Sequence, residues 1–276
     1  MQKRESGGKN RVEVCALCQM AGSLMESHFF PKSAFKHVRG RGAVQDSPIH
    51  VDVRKGDAFY TDNQITKKLL CFSCEQLFSK LGENVVSKLW ATNKDFPFRD
   101  LIKKSQLVSS EDGAEIFHSQ SFSDELQRGI YYFALSMIWR AHIWSRNECG
   151  EKRVELGSYE EKIRKFLLGE SDVKRVYLIV TVNTHRSING LITTPVSRKM
   201  FGRHAYFFEL LGMKYHLYVG GSKLDGFVET FLYMRSKVII MTSRAAELAG
   251  HEMISDIVRE KVVPRGRLAR QGIKIC

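Results

Sequence analysis

The sequence predicts an α+β protein: a small cysteine-clamped N-terminal module followed by a helical and sheet-containing domain. Three observations predict it. Two Cys-x-x-Cys pairs, Cys15/Cys18 and Cys71/Cys74, hold four of the six cysteines. A broad apolar stripe at helical spacing runs from Leu126 to Trp144. Runs rich in β-branched and aromatic residues then recur between turn signals in the C-terminal third.

Taken in order, residues 1–11 read as a disordered basic tail. Val12–Cys18 reads as a short strand entering a metal knuckle, and Leu24–Phe30 as a second strand that Pro31 stops. Residues 38–63 are rich in Gly, Asp, Arg and other polar residues. They read as a loop, either a solvated linker or one whose arginines (Arg39, Arg41, Arg54) touch phosphates. From Cys71 a helix is expected, with Leu77, Leu81, Val85 and Leu89 recurring every fourth position. A second helix begins near Ser123. Its face of Leu126, Ile130, Phe133, Met137 and Trp144 is widened by Tyr131, Leu135 and Trp139, which marks a buried helix. Arg140 and His142 on that face read as partnered structural groups. Tyr159–Leu168 is a third helix. Strands are expected at Val173–Val182, His204–Leu210, Lys214–Val219 and Phe231–Met241, with a tight turn at Leu211-Gly212. Ser243 caps a helix over residues 244–261, and residues 259–274, with Arg259, Lys261, Arg265, Arg267, Arg270 and Lys274, read as a basic tail. The N-terminal module then covers 12–100 and the second domain 120–276, with the boundary between residues 100 and 120.

Each Cys-x-x-Cys offers two thiolates from one turn, and two pairs make the four-sulfur tetrahedron that zinc prefers. Four thiolates leave no open position, so this Zn²⁺ is structural, held by Cys15, Cys18, Cys71 and Cys74. Everything between the pairs is a loop clamped at its base. Inside it lies Glu26-Ser27-His28-Phe29-Phe30-Pro31-Lys32.

The formal net charge is +13. A surplus of that size favours a polyanionic partner, most simply DNA or RNA, or else a well-solvated basic surface. No run approaches a membrane span and the start carries no apolar signal region. The expectation is a soluble cytoplasmic protein with reduced thiols and no membrane partner.

Cys15-x-x-Cys18, Glu26-Ser27-His28-Phe29-Phe30-Pro31-Lys32 and Leu69-Leu70-Cys71-x-x-Cys74-Glu75 together resemble the zinc-containing HNH endonuclease family. The resemblance covers roughly the first ninety residues. It implies a ββα-metal motif set in a treble clef and metal-dependent hydrolysis of phosphodiester bonds in DNA. His28 falls on the family's general base, an imidazole that takes a proton from the attacking water. A single Mg²⁺ or Mn²⁺ stabilises the charge that develops on phosphorus and the leaving oxygen. Asn63 matches the middle asparagine that orients the histidine or the loop. Glu75 stands where the family has His or Asn, and either ligates the hard cation or is a favourable charge at a helix start. The usual metal ligand before the histidine is replaced by Ser27. Strand alternation puts Glu26 on the face of His28, so Glu26 substitutes or His28 itself binds metal. Lys67 and Lys68 offset the charge of the cysteines or contact phosphate, and Glu83 reads as solvated surface. Phe133-Ala134-Leu135-Ser136-Met137-Ile138-Trp139-Arg140 resembles a bacterial subgroup with an uncharacterised C-terminal domain. That leaves two further readings: a non-cleaving nucleic-acid-binding module, and a component of a bacterial defence system whose C-terminal domain binds a protein partner or forms a homodimer.

Overall fold

The computed structural model describes residues 13–39, 48–52, 55–61, 63–145, 154–184, 189–200, 202–221, 225–243 and 245–264. The N-terminal tail, Arg41, Arg54 and the C-terminal tail beyond Pro264 lie outside the described residues, while the start of that tail, 259–264, lies in the last helix and strand. Val12–Cys18 is not a strand where described: only a bridge between Val14 and Ala21 closes the knuckle.

β1 (Leu24–His28) ends at a bend before Pro31, and α1 (Lys32–Val38) follows. The stretch expected to be a loop carries β2 (Ile49–Asp52) and β3 (Asp57–Tyr60), an antiparallel hairpin. β4 (Thr66–Cys71) then pairs antiparallel with β1, and α2 (Phe72–Phe78) leaves directly from its end.

The buried stripe of this helical run differs from the expected one. Cys74, Phe78, Gly82 and Val86 face inward, while Leu81 is 41% exposed. A π-helical turn at Ser79–Glu83 links α2 to α3 (Asn84–Val86). The wider π turn keeps a strict four-residue spacing on one face, which a regular α-helix does not. Glycine explains why that face is buried: a Cβ at Gly82 would lie 3.1 Å from the Cα of Phe133. The neighbouring helix therefore approaches to backbone contact.

α4 (Pro97–Ile102) leads to the hairpin of β5 (Leu107–Glu111) and β6 (Ala114–Phe117). Asp112 and Gly113 at its tip both have positive φ, 50° and 76°, as a type I′ turn requires. α5 (Asp124–Ser145) is the central helix. The Ser123 hydroxyl caps it by accepting from the Leu126 N–H at 3.2 Å, and Asp124 and Glu125 sit favourably in its first turn. α6 (Tyr159–Leu167) packs against it. Next come β7 (Val176–Asn183), β8 (Val196–Met200), β9 (Arg203–Leu210) and β10 (Met213–Val219).

The expected strand Phe231–Met241 is half helix. α7 (Gly226–Tyr233) is capped by Asp225, whose carboxylate accepts from the Val228 N–H, and β11 (Val238–Ser243) begins only after it. α8 (Ala245–Lys261) and β12 (Val262–Pro264) end the described chain. β12 adds in parallel to β3, making a three-stranded sheet with β2.

The large sheet has the order β5-β6-β11-β7-β10-β9-β8, and only β11–β7 is parallel. One face carries α5, with the Phe133 ring 5.6 Å from Tyr215 and 6.2 Å from Phe208. The other is partly covered by α7 through Phe227 and Phe231. A single hydrophobic cluster runs from Cys15 and Leu17 through α5 to Ile240. The cysteine-bearing segment and the large sheet therefore share one core. The architecture is mixed α and β, as expected.

Candidate metal centre

The knuckle forms because the chain turns tightly after Cys15. The Cys15 N–H donates to the Met20 carbonyl at 3.0 Å, the Gln19 N–H donates to the Cys15 carbonyl at 2.9 Å, and Gln19 takes φ +61°. The Ala16 N–H donates to the Leu69 carbonyl at 3.0 Å, which fastens the knuckle to β4. β4 delivers Cys71 at its last position and α2 delivers Cys74 in its first turn.

The four sulfurs all lie within 4.8 Å of one another. Cys18 Sγ and Cys71 Sγ are 3.8 Å apart. With a Zn–S bond of about 2.3 Å, the edge of a regular tetrahedron is about 3.8 Å. The donor set and spacing therefore fit zinc, and Cys15 and Cys74 are buried. Burial pushes the Cys15 thiol up, but backbone N–H groups of Cys71, Cys18 and Leu17 outweigh it and hold the thiol below its ordinary value. The Cys71 N–H donates to Cys15 Sγ at 3.3 Å. Burial first, and then the adjacent sulfurs, push the Cys74 thiol up. A cation relieves that repulsion. Arg164 of α6 reaches the same knuckle: its Nη1 donates to the Leu17 carbonyl at 2.7 Å while Nε and Nη2 clasp Glu161.

His28 is half-buried, at the far end of β1 from the cysteines and opposite Thr66. Ser27 beside it is buried and faces the other way. Its hydroxyl donates to Glu75 Oε1 and accepts from the Leu70 N–H at 3.2 Å. Ser27 and Glu75 are thus brought together. Glu26 is exposed, paired across the strands with Lys68, and points away from Ser27. Asn63 is exposed. It lines a separate cleft of about 1020 Å³ with Phe30, His50, Glu209 and Lys214. Among the described residues, the cysteines are the one group of three or more Cys, His, Asp or Glu side chains whose ligand atoms converge.

Lys68 pairs with Glu13 at 3.0 Å. Lys67 Nζ donates to the Trp144 carbonyl at 3.4 Å. Glu83 is not solvated surface. It is ion-paired at 3.0 Å with Arg140, whose side chain is 2% exposed. The sequence reading named Arg140 but missed this acid partner. The signal was present: a guanidinium on an apolar helix face must find an anion and carbonyl acceptors.

The chain matches no protein-family model, no curated protein and no solved structure.

Proposed function

We propose that this protein is a metal-dependent endonuclease of the HNH type that hydrolyses phosphodiester bonds in DNA. The observation that carries the reading is the convergence of Cys15, Cys18, Cys71 and Cys74 at one end of the antiparallel β1–β4 pair. On this reading β1, β4 and α2 form a ββα unit in a treble clef, and the zinc site holds its fold only. His28, half-buried and therefore reachable by solvent, takes a proton from the attacking water. Glu75 would supply a carboxylate oxygen to a hard divalent ion, since one carboxylate plus substrate phosphate is a usual donor set for Mg²⁺. When bound, that ion supplies charge stabilisation at phosphorus. Ser27 orients Glu75 through its hydroxyl. Lys32 and Lys36, exposed one turn apart on α1 immediately after the histidine turn, are suited to backbone phosphate.

The test is nicking of supercoiled plasmid by purified protein with Mg²⁺ or Mn²⁺. His28→Ala is expected to lose at least 100-fold of the rate, of the order general-base removal costs (~10²–10⁴). Equal nicking by both proteins removes His28 from the chemistry.

One observation favours a second reading, a nucleic-acid- or partner-binding module without cleavage. Ser27 is buried and already bonded to Glu75, while Glu26 faces elsewhere. That reading expects salt-sensitive DNA binding and no turnover with any divalent ion.

A further inference from the structure

We infer that Arg140 is a positioning residue: through it the helix that anchors the large sheet sets the backbone, and so the aim, of His28. The inference rests on the nuclease reading only for what His28 does.

The geometry is specific. Both protons of Arg140 Nη1 are used on consecutive carbonyls, His28 O at 3.0 Å and Phe29 O at 2.7 Å. In an extended strand successive carbonyls point to opposite sides. Two in a row can meet one nitrogen only where the chain leaves the strand. β1 ends at His28 and the chain bends at Phe29 and Phe30. Arg140 therefore fixes the turn on which His28 stands. The Phe29 N–H donates to the Ile65 carbonyl at 2.8 Å, so the turn is pinned from the other side by the segment leading into β4.

The guanidinium is itself held rigidly. Nη2 bonds Glu83 Oε1 at 3.0 Å in the π-helical turn, and the plane lies 5.1 Å from the Phe78 ring centroid. Nε makes no hydrogen bond. A buried ion pair is a costly way to hold two helices together, and an apolar pair of similar volume does that as well or better. What an apolar pair cannot do is donate two protons to two carbonyls. A lysine carries the charge but not the planar fork that serves both carbonyls and Glu83 together.

The experiment compares the full-length zinc-loaded protein with Arg140→Lys and with the double variant Arg140→Met/Glu83→Gln, which leaves no charge stranded. The first readout needs no activity: the rate at which diethylpyrocarbonate modifies His28, followed by mass spectrometry of its peptide, with His118 as an internal control. Both variants are expected to change the His28 rate at least 3-fold, with the His118 rate and zinc content kept. The second readout is metal-dependent nicking, where kcat falls 10- to 100-fold at unchanged KM. Should Arg140→Lys fail to fold, the double variant decides. An unchanged His28 rate in a folded variant overturns the inference. If the unsubstituted protein does not nick DNA, the nuclease reading is what fails, and the modification rates still decide the role of Arg140.

Discussion

Loss of the four-sulfur site tests how far the fold depends on it. The substitution is Cys74→Ser, at a side chain 3% exposed, alongside chelation of the unsubstituted protein. Cys18 and Cys71 are 53 positions apart, and their sulfurs sit 3.8 Å from each other. Tying a loop of that length removes unfolded-chain entropy worth about 4 kcal/mol at room temperature. A domain of ordinary stability has ~5–15 kcal/mol in all. For a chain of this size 1 kcal/mol moves the melting temperature by about 2–4 °C, so the loss is ~10 °C or more. Metal analysis is expected to find one zinc per chain, and circular dichroism to follow the melt. Because one hydrophobic cluster joins the cysteines to the large sheet, unfolding is expected in a single transition. A metal-free protein melting within about 2 °C of the loaded one, a shift worth less than ~1 kcal/mol, would refute the reasoning.

Two other substitutions and one titration bear on the packing and the pH dependence. Gly129→Ala puts a Cβ 2.6 Å from the Val85 side chain, which is β-branched and cannot swing away. The expected cost is ~1–3 kcal/mol in a denaturant titration, less the ~1 kcal/mol that helix propensity returns. Glu209 has its carboxyl pushed by burial from 4.5 up to about 7. The unfolded chain releases that proton first, so its contribution is full below pH 4.5 and is lost as the pH rises towards 7. Glu209→Gln is therefore expected to melt higher than the native protein at pH 8 and to lose that advantage at pH 4. His216 has the opposite sense: burial, then Lys214 and Arg198, push it from 6.5 down to about 4. Its contribution is present above pH 6.5 and lost as the pH falls towards 4, so its ring is expected to stay neutral at pH 5 by NMR.

Elements with a strong local period were legible in the sequence. The cysteine spacing found the four-sulfur cluster, and α5, α6, β7, β9, β10 and α8 lie within a few residues of their expected spans. The turn at Leu211-Gly212 was legible too, with φ of 49° and 81°. Failures came where the deciding partner is far away in the chain. β2 and β3 look like polar loop because their third strand, Val262–Pro264, comes from the other end of the described chain. The stripe after Cys71 was read one position off because the leucines share the four-residue spacing, while the face that packs is the one where Gly82 lets the Phe133 backbone approach. Two local signals were present and missed: Asp112-Gly113 for the β5–β6 turn, and Asp225 as the cap that makes α7 a helix. At the site, Ser27 looked like a lost ligand, yet its hydroxyl is the partner of Glu75.

The antiparallel β1–β4 pair is held at its two ends by different chemistry. At its base, four sulfurs and the Arg164 contact to Leu17 hold the knuckle. At its tip, Arg140 holds the carbonyls of His28 and Phe29. Both arginines come from helices of the sheet-bearing half. The core already packs the pair along its length, and the guanidinium adds two bonds to the backbone at the end where the imidazole stands. A metal on the four sulfurs would hold the base of the pair, and on our proposal Arg140 of α5 sets where the histidine points. Cys74→Ser should lower stability and His28 order together, whereas the double variant Arg140→Met/Glu83→Gln, which strands no charge, should move the second with much less of the first.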